Sequence, residues 1–110
     1  MNEMNLANII QGKPLYKSPE IKDLRHLLKL SEKRFGNYTA FKFRKKPNAQ
    51  IESRTYSQFV SDVDAFGSAL VNMGLLDSRV AIIGENRYEW VVSYLATVNG
   101  VGIAIPLDRM

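Results

Sequence analysis

Residues 80–107 read VAIIGENRYEWVVSYLATVNGVGIAIPL. Val80–Ile83 is a short apolar run without alternation, the pattern of a strand buried on both faces of a parallel sheet. Gly84, Glu85 and Asn86 break it. Val91, Leu95 and Val98 then recur at helical spacing, widened by Tyr88 and Val92, so a helix is expected over about 87–99. Ile103–Leu107 is a second apolar run and reads as a second buried strand. Strand, helix, strand is a βαβ unit with a right-handed crossover. Asn86 and Glu89 are spaced as an N-cap and its reciprocal partner, and both suit the positive end of a helix dipole.

A strand–turn–helix of this kind raises the question of a nucleotide phosphate. The dinucleotide fingerprint G-x-G-x-x-G would fall on Gly84, Asn86 and Glu89, so two of its three glycines are absent. A Walker loop, G-x-x-x-x-G-K-[ST], is absent too. Glu85 adds negative charge where a phosphate would sit. Gly100 and Gly102 precede a strand rather than a helix, the wrong order for a nucleotide loop. The turn therefore reads as a helix cap, with direct ligand contact as its alternative.

Upstream, Ser18–Pro19 resembles an N-cap followed by a first helical residue. Ile21, Leu24, Leu28 and Phe35 follow at helical spacing, with Leu27 alongside. A first helix is expected over about 19–35, stopped by a left-handed Gly36. Thr39–Lys46, TAFKFRKK, alternates from Ala40: Phe41 and Phe43 face one way, Lys42 and Arg44 the other. A turn through Pro47 and a returning strand in IESRTY (51–56) complete a hairpin, with Arg44, Lys45 and Lys46 near its tip. Thr55 and Gln58 form a capping box. Phe59, Val63, Phe66, Leu70 and Met73 then mark a helix over about 56–73, closed by Gly74. The expected fold class is α/β: an N-terminal β-hairpin plus a βαβ pair of parallel strands, with about three helices. Residues 1–17 read as an irregular segment, and 18–110 as one incomplete subdomain.

The composition excludes several functions. There is no cysteine, hence no disulfide and no thiolate metal site, and a reducing compartment fits. The single histidine, His26, has no second histidine to pair with and reads as an ordinary helix residue. Asp62 and Asp64 lie two apart on a helix and point apart, so they are not a catalytic pair. Ser93 lacks a nucleophile elbow. Trp90 and Tyr94, four apart, read as a packing pair. Trp90–Leu107 is uncharged but carries Ser93, Thr97, Asn99, two glycines and Pro106, short of the roughly 20 apolar residues of a membrane span. The start, MNEMNLANII, lacks a secretory signal. Residues 1–54 hold 12 Lys/Arg against 5 Asp/Glu, and residues 55–110 hold 3 against 6, so charges of +7 and −3 make up the net +4. The basic half has no recognition helix or aromatic-interleaved sheet, and nucleic acid is not an expected partner. No catalytic, cofactor-binding or metal-ligating residue is assigned. The assigned caps are Thr55, Gln58, Asn86 and Glu89.

Taken in order, Thr55-Tyr56, Gly74, Arg79-Val80-Ala81, the N-x-x-E-W of Asn86, Glu89 and Trp90, and Pro106-Leu107-Asp108 are a familiar series. The chain resembles the N-terminal region of the adenylate-forming, AMP-binding acyl-CoA synthetase superfamily, with the long-chain fatty-acid–CoA ligases nearest in pattern. The resemblance covers about 20–110 and is strongest from Thr55 to Asp108. Ser78 stands where aspartate is usual, Phe59 replaces a frequent leucine, and Val101 stands where glycine is common. The resemblance implies a larger cytoplasmic enzyme, with peripheral membrane attachment as an alternative. That enzyme would activate a fatty acid with ATP and magnesium to an acyl-adenylate and pass the acyl group to coenzyme A. The family's phosphate loop, its Y-G-x-T-E stretch, its ribose-binding aspartate and its lid lysine do not occur in these 110 residues. The expectation is an inactive N-terminal fragment of such a ligase that self-associates through unsatisfied strands. An independent non-enzymatic α/β binding module is the alternative.

Overall fold

The computed structural model describes residues 8–109. Its elements are α1 (Leu24–Phe35), β1 (Thr39–Phe43), β2 (Glu52–Thr55), α2 (Tyr56–Asn72), β3 (Arg79–Ile83), α3 (Tyr88–Ala96), a π turn (Thr97–Val101) and β4 (Ile103–Leu107). β1 and β2 pair antiparallel, with Phe41 opposite Arg54 and Phe43 opposite Glu52. β3 and β4 pair parallel, from Arg79 beside Ile103 to Ile83 beside Leu107. The hairpin, the parallel pair and the three helices are those expected from the sequence.

The core lies where α2 and α3 meet the hairpin. Phe59, Val63, Tyr88, Val92 and Ala96 are buried together, with Leu28, Phe41, Phe43, Val91 and Leu95 packed against them. Aromatic rings dominate it. Phe41 lies 4.7 Å from Phe59 and 5.2 Å edge-on to Tyr88, and Phe43 stacks on Tyr88 at 5.3 Å. Such pairs add to simple area burial. The alternation of β1 thus delivers both phenylalanines to one layer.

The capping box forms as expected. The Gln58 N–H donates to Thr55 Oγ1 at 3.1 Å, and the Thr55 N–H donates to Gln58 Oε1 at 2.9 Å. After α2, Gly74 takes a left-handed φ of 80°.

Five expectations are corrected. First, α1 starts at Leu24, not at Pro19. The Asp23 carboxylate, rather than Ser18, accepts from the His26 N–H at 2.6 Å, one residue before the Leu24, Leu27, Leu28 stripe begins. Second, Gly36 is right-handed, with φ −44°. Close approach explains the glycine instead: its carbonyl accepts from the Ser57 N–H at 3.0 Å, and a Cβ there would sit 2.7 Å from Ser57 Oγ and 2.8 Å from the Glu32 carbonyl oxygen. Third, α3 begins at Tyr88 behind an extended Arg87, with no side-chain capping bond, so Asn86 is not its N-cap and Glu89 does not return a bond to it. Fourth, α3 ends at Ala96 rather than at residue 99. The buried Thr97 hydroxyl donates back to the Ser93 carbonyl, and Gly100 at φ 138° turns the chain toward β4.

The fifth correction concerns the parallel pair, which is not buried on both faces. Side chains alternate along each strand. Val80 and Ile82, beside Ala104 and Pro106, make one face, on which Ile82 is buried. Ala81, Ile83, Ile103, Ile105 and Leu107 share the other with Arg79, and all are exposed. The irregular segment expected over 1–17 is described from residue 8 onward. No α-helix or β-strand occurs between there and Asp23, and its first seven residues lie outside the described ones. The radius of gyration is 18.1 Å, against about 13 Å for a compact domain of this length.

Candidate functional site

The carboxyl end of a parallel sheet is where α/β folds place ligands. Here it is formed by Gly84–Arg87 after β3 and by Asp108 and Arg109 after β4. Its charges are spoken for. Arg109 Nη1 bonds Glu85 Oε1 across the strand ends. Arg87 Nε lies 3.4 Å from Glu89 Oε2, along the first turn of α3. Each cation that could receive a phosphate is therefore matched by a carboxylate. Beside the turn, Trp90 and Tyr94 stack nearly parallel at 5.4 Å, half-buried, as one turn of helix spacing allows. Gly84 lies close to the indole, since a Cβ there would contact Trp90 Cδ1 at 3.8 Å.

The carboxylates of α2 diverge, as their spacing implies. Asp64 pairs with Lys29 of α1 at 2.6 Å, tying the two helices together. Asp62 faces the other way and accepts from the Tyr88 hydroxyl at 2.6 Å. Burial, followed by the hydrogen bond and negative charge of Asp62, pushes the Tyr88 phenol well above its ordinary range, against a smaller opposing effect of Arg54. The Arg54 guanidinium lies 5.4 Å over the Phe43 ring and 5.7 Å over the Tyr88 ring. Arg54, Asp62 and Tyr88 thus form a polar seam between hairpin, α2 and α3. The sequence reading missed it. Tyr88 was visible only as part of an apolar stripe, and no local signal joins it to a residue 26 positions earlier.

The remaining candidates do ordinary work. The Ser93 hydroxyl donates to the Glu89 carbonyl at 2.7 Å within its own helix. His26 Nδ1 accepts from the Lys22 N–H at 3.2 Å. Among the described residues no three His, Asp or Glu side chains are grouped to hold a metal ion. A groove of about 380 Å³ runs between α1, α2 and the π turn, lined by Arg25, Asp64, Gly67, Asn72, Asn99 and others. No helix of the described residues is long and apolar enough to cross a membrane.

The sequence pattern of the AMP-binding enzyme family matches residues 28–110, spanning most of α1 and every later element. This chain belongs to the AMP-binding enzyme family. Among related members, long-chain-fatty-acid–CoA ligase 5 of Mus musculus is 35% identical over 66 residues, which is 57% of this chain and 10% of that protein. The chain spans about a tenth of that relative's length. Several residues that carry the family resemblance hold the fold in this AMP-binding enzyme chain: Thr55 caps α2, Gly74 turns the chain after it, and Pro106 and Leu107 close β4.

The two capping assignments differ in expected outcome. Thr55→Ala removes a reciprocal cap and is expected to cost about 1 kcal/mol. Asn86→Ala removes no capping bond and is expected to stay within about 0.5 kcal/mol of the parent. Urea denaturation followed by far-UV circular dichroism compares them. An Asn86→Ala loss equal to that of Thr55→Ala would restore the capping role.

Proposed function

We propose that this chain builds the opening part of the N-terminal domain of an acyl-CoA synthetase-type ligase and serves there as scaffold rather than as the chemical centre. In the reaction proposed for the whole enzyme, a fatty-acid carboxylate attacks the α-phosphate of ATP with magnesium, releasing pyrophosphate. The thiol of coenzyme A then displaces AMP to give the thioester. Family membership and the long-chain fatty-acid–CoA ligase relative support this class of reaction. The observation that supports the scaffold role is the charge pairing at the strand ends. Glu85 with Arg109 and Glu89 with Arg87 leave the turn after β3 unsuited to a nucleotide phosphate.

ATP, magnesium and coenzyme A are accordingly assigned to other parts of the enzyme, and the 110 residues alone are expected to release no pyrophosphate. Incubation with ATP, magnesium and palmitate, read by a coupled pyrophosphate assay against a protein-free blank, tests this. Turnover above the blank would sink the scaffold reading. Self-association belongs to the same proposal, since the exposed face of Ala81, Ile83, Ile103, Ile105 and Leu107 has no cover within the described residues. Sedimentation over a tenfold concentration range should show mass rising with concentration, and a constant monomer mass would count against it.

A further inference from the structure

The groove between α1, α2 and the π turn is longer than its first part suggests. That part, of about 380 Å³, has a floor of Val63, Val71, Ala96 and Val101. A second concavity of about 560 Å³ continues it past Leu24 and Val98, and the two share Arg25, Asn99 and Gly100. Gly100 and Val101 lead into β4, so the groove lies at the opposite end of the parallel strands from Gly84–Arg87. It is therefore separate from the carboxyl end of the sheet. It is also separate from the exposed face of Ile83, Ile103, Ile105 and Leu107.

The polar rim narrows what can bind. Both rim carboxylates are engaged, Asp64 by Lys29 at 2.6 Å and Asp23 by the His26 N–H at 2.6 Å. Arg25 lines both parts and forms no ion pair among the described residues. Its planar fork of donors suits a carboxylate. Asn72 and Asn99 add amide groups that both donate and accept, the two functions a peptide backbone presents in return. At Gly100 no protein atom lies within 4 Å of the place a Cβ would occupy, so an incoming backbone can come close. The groove is open to solvent along its length. Small-molecule sites enclose most of their ligand, and this one would leave a compact ligand largely in water. An extended chain needs cover on one side only.

We propose that the groove docks an extended segment of a partner protein in which an aliphatic residue adjoins an acidic one. The aliphatic side chain rests on the valine floor, the carboxylate meets Arg25, and the backbone bonds to Asn72 and Asn99. This requires no catalytic competence, so it stands apart from the ligase reading and is tested without ATP or acyl substrate.

Fluorescence anisotropy of the full chain with labelled, end-blocked hexapeptides is the experiment. The peptides carry Leu-Glu, Leu-Gln or Ser-Glu among glycines and serines. The Leu-Glu peptide is expected to bind, and the Leu-Gln and Ser-Glu peptides about tenfold more weakly. Arg25→Gln should erase the preference for Leu-Glu over Leu-Gln. Ser68→Trp, which fills the groove from an exposed position on α2, should abolish binding with the far-UV spectrum unchanged. No binding of Leu-Glu at about 1 mM peptide would overturn the proposal, since that is the weak limit of a specific contact. Equal binding of Leu-Gln, or full binding by either variant, would overturn it as well. Binding that survives Ser68→Trp but is lost in salt would assign the peptide to the basic hairpin tip at Arg44–Lys46 instead. Binding seen only after dilution of a sedimenting dimer would assign the groove to a second copy.

Discussion

Phe59→Ala is expected to destabilise the chain by about 3–5 kcal/mol, the range for emptying an aromatic site in a packed core. Phe59 is 5% exposed and touches the rings of Phe41 and Tyr88, so its loss uncouples the hairpin from α2 and α3 together. Against a total stability of about 5–15 kcal/mol, that removes roughly a fifth or more. The melting temperature should fall by about 15 °C. Tyr88→Phe provides the milder comparison, keeping the ring and deleting only the hydroxyl bonded to Asp62, for about 1–2 kcal/mol. The Tyr88 phenol has a raised pKa in the folded state. Its contribution is therefore complete below the ordinary tyrosine value near 10 and is lost as pH rises through the raised folded value. The gap between parent and Tyr88→Phe should narrow only in strong alkali. A Phe59→Ala melt within 2 °C of the parent would mean that this aromatic layer is not the core.

Gly102→Ala is the second large effect, expected to cost about 3 kcal/mol or more. A Cβ on Gly102 would lie 2.0 Å from the Ser78 carbonyl oxygen and 3.1 Å from the Ser78 nitrogen and carbonyl carbon. These are backbone atoms, so no side-chain rotation relieves the clash. The same carbonyl accepts from the Ile103 N–H at 3.0 Å, and the Asp77 N–H donates to the Val101 carbonyl at 2.7 Å. The start of β4 is set against β3 at this point, and a methyl group pushes the strands apart where their register begins. Urea unfolding should show a lower midpoint and a loss of strand signal. A midpoint shift worth less than about 0.5 kcal/mol would show that the strands pair by other means.

The features legible in the sequence were those written in nearby residues. Thr55 and Gln58 satisfy each other across three positions, so the start of α2 could be placed directly. The alternation of Phe41, Lys42 and Phe43 fixed which side of the hairpin meets the core. Competing local signals produced the errors. Ser18–Pro19 and Asp23 both resemble helix starts, and the apolar stripe beginning at Leu24 favours the second. Asn86 and Glu89 have capping spacing, yet Glu89 turns to Arg87, one residue before the helix. The exposed face of β3 and β4 was not legible, because an unalternating apolar run reports greasiness on both sides and not which side has a neighbour. The Tyr88–Asp62–Arg54 seam joins three elements and has no signature in any one of them. As for the candidate site, the absence of a phosphate loop could be read directly, whereas the ion pairs that occupy its place could not.

The bare side of the parallel pair bears on how such a polypeptide is made. Synthesis proceeds from the N-terminus, so β3, α3 and β4 can assemble as soon as residue 107 has cleared the ribosome. From that moment the nascent chain displays Ile83, Ile103, Ile105 and Leu107 on one strip of a two-stranded sheet that has no third strand among the described residues. Neighbouring chains on one messenger would meet those strips at high local concentration, the circumstance in which partly built sheets misassemble. The interval before something covers that strip, whether later residues or a chaperone, is therefore a hazardous stage in producing this fold.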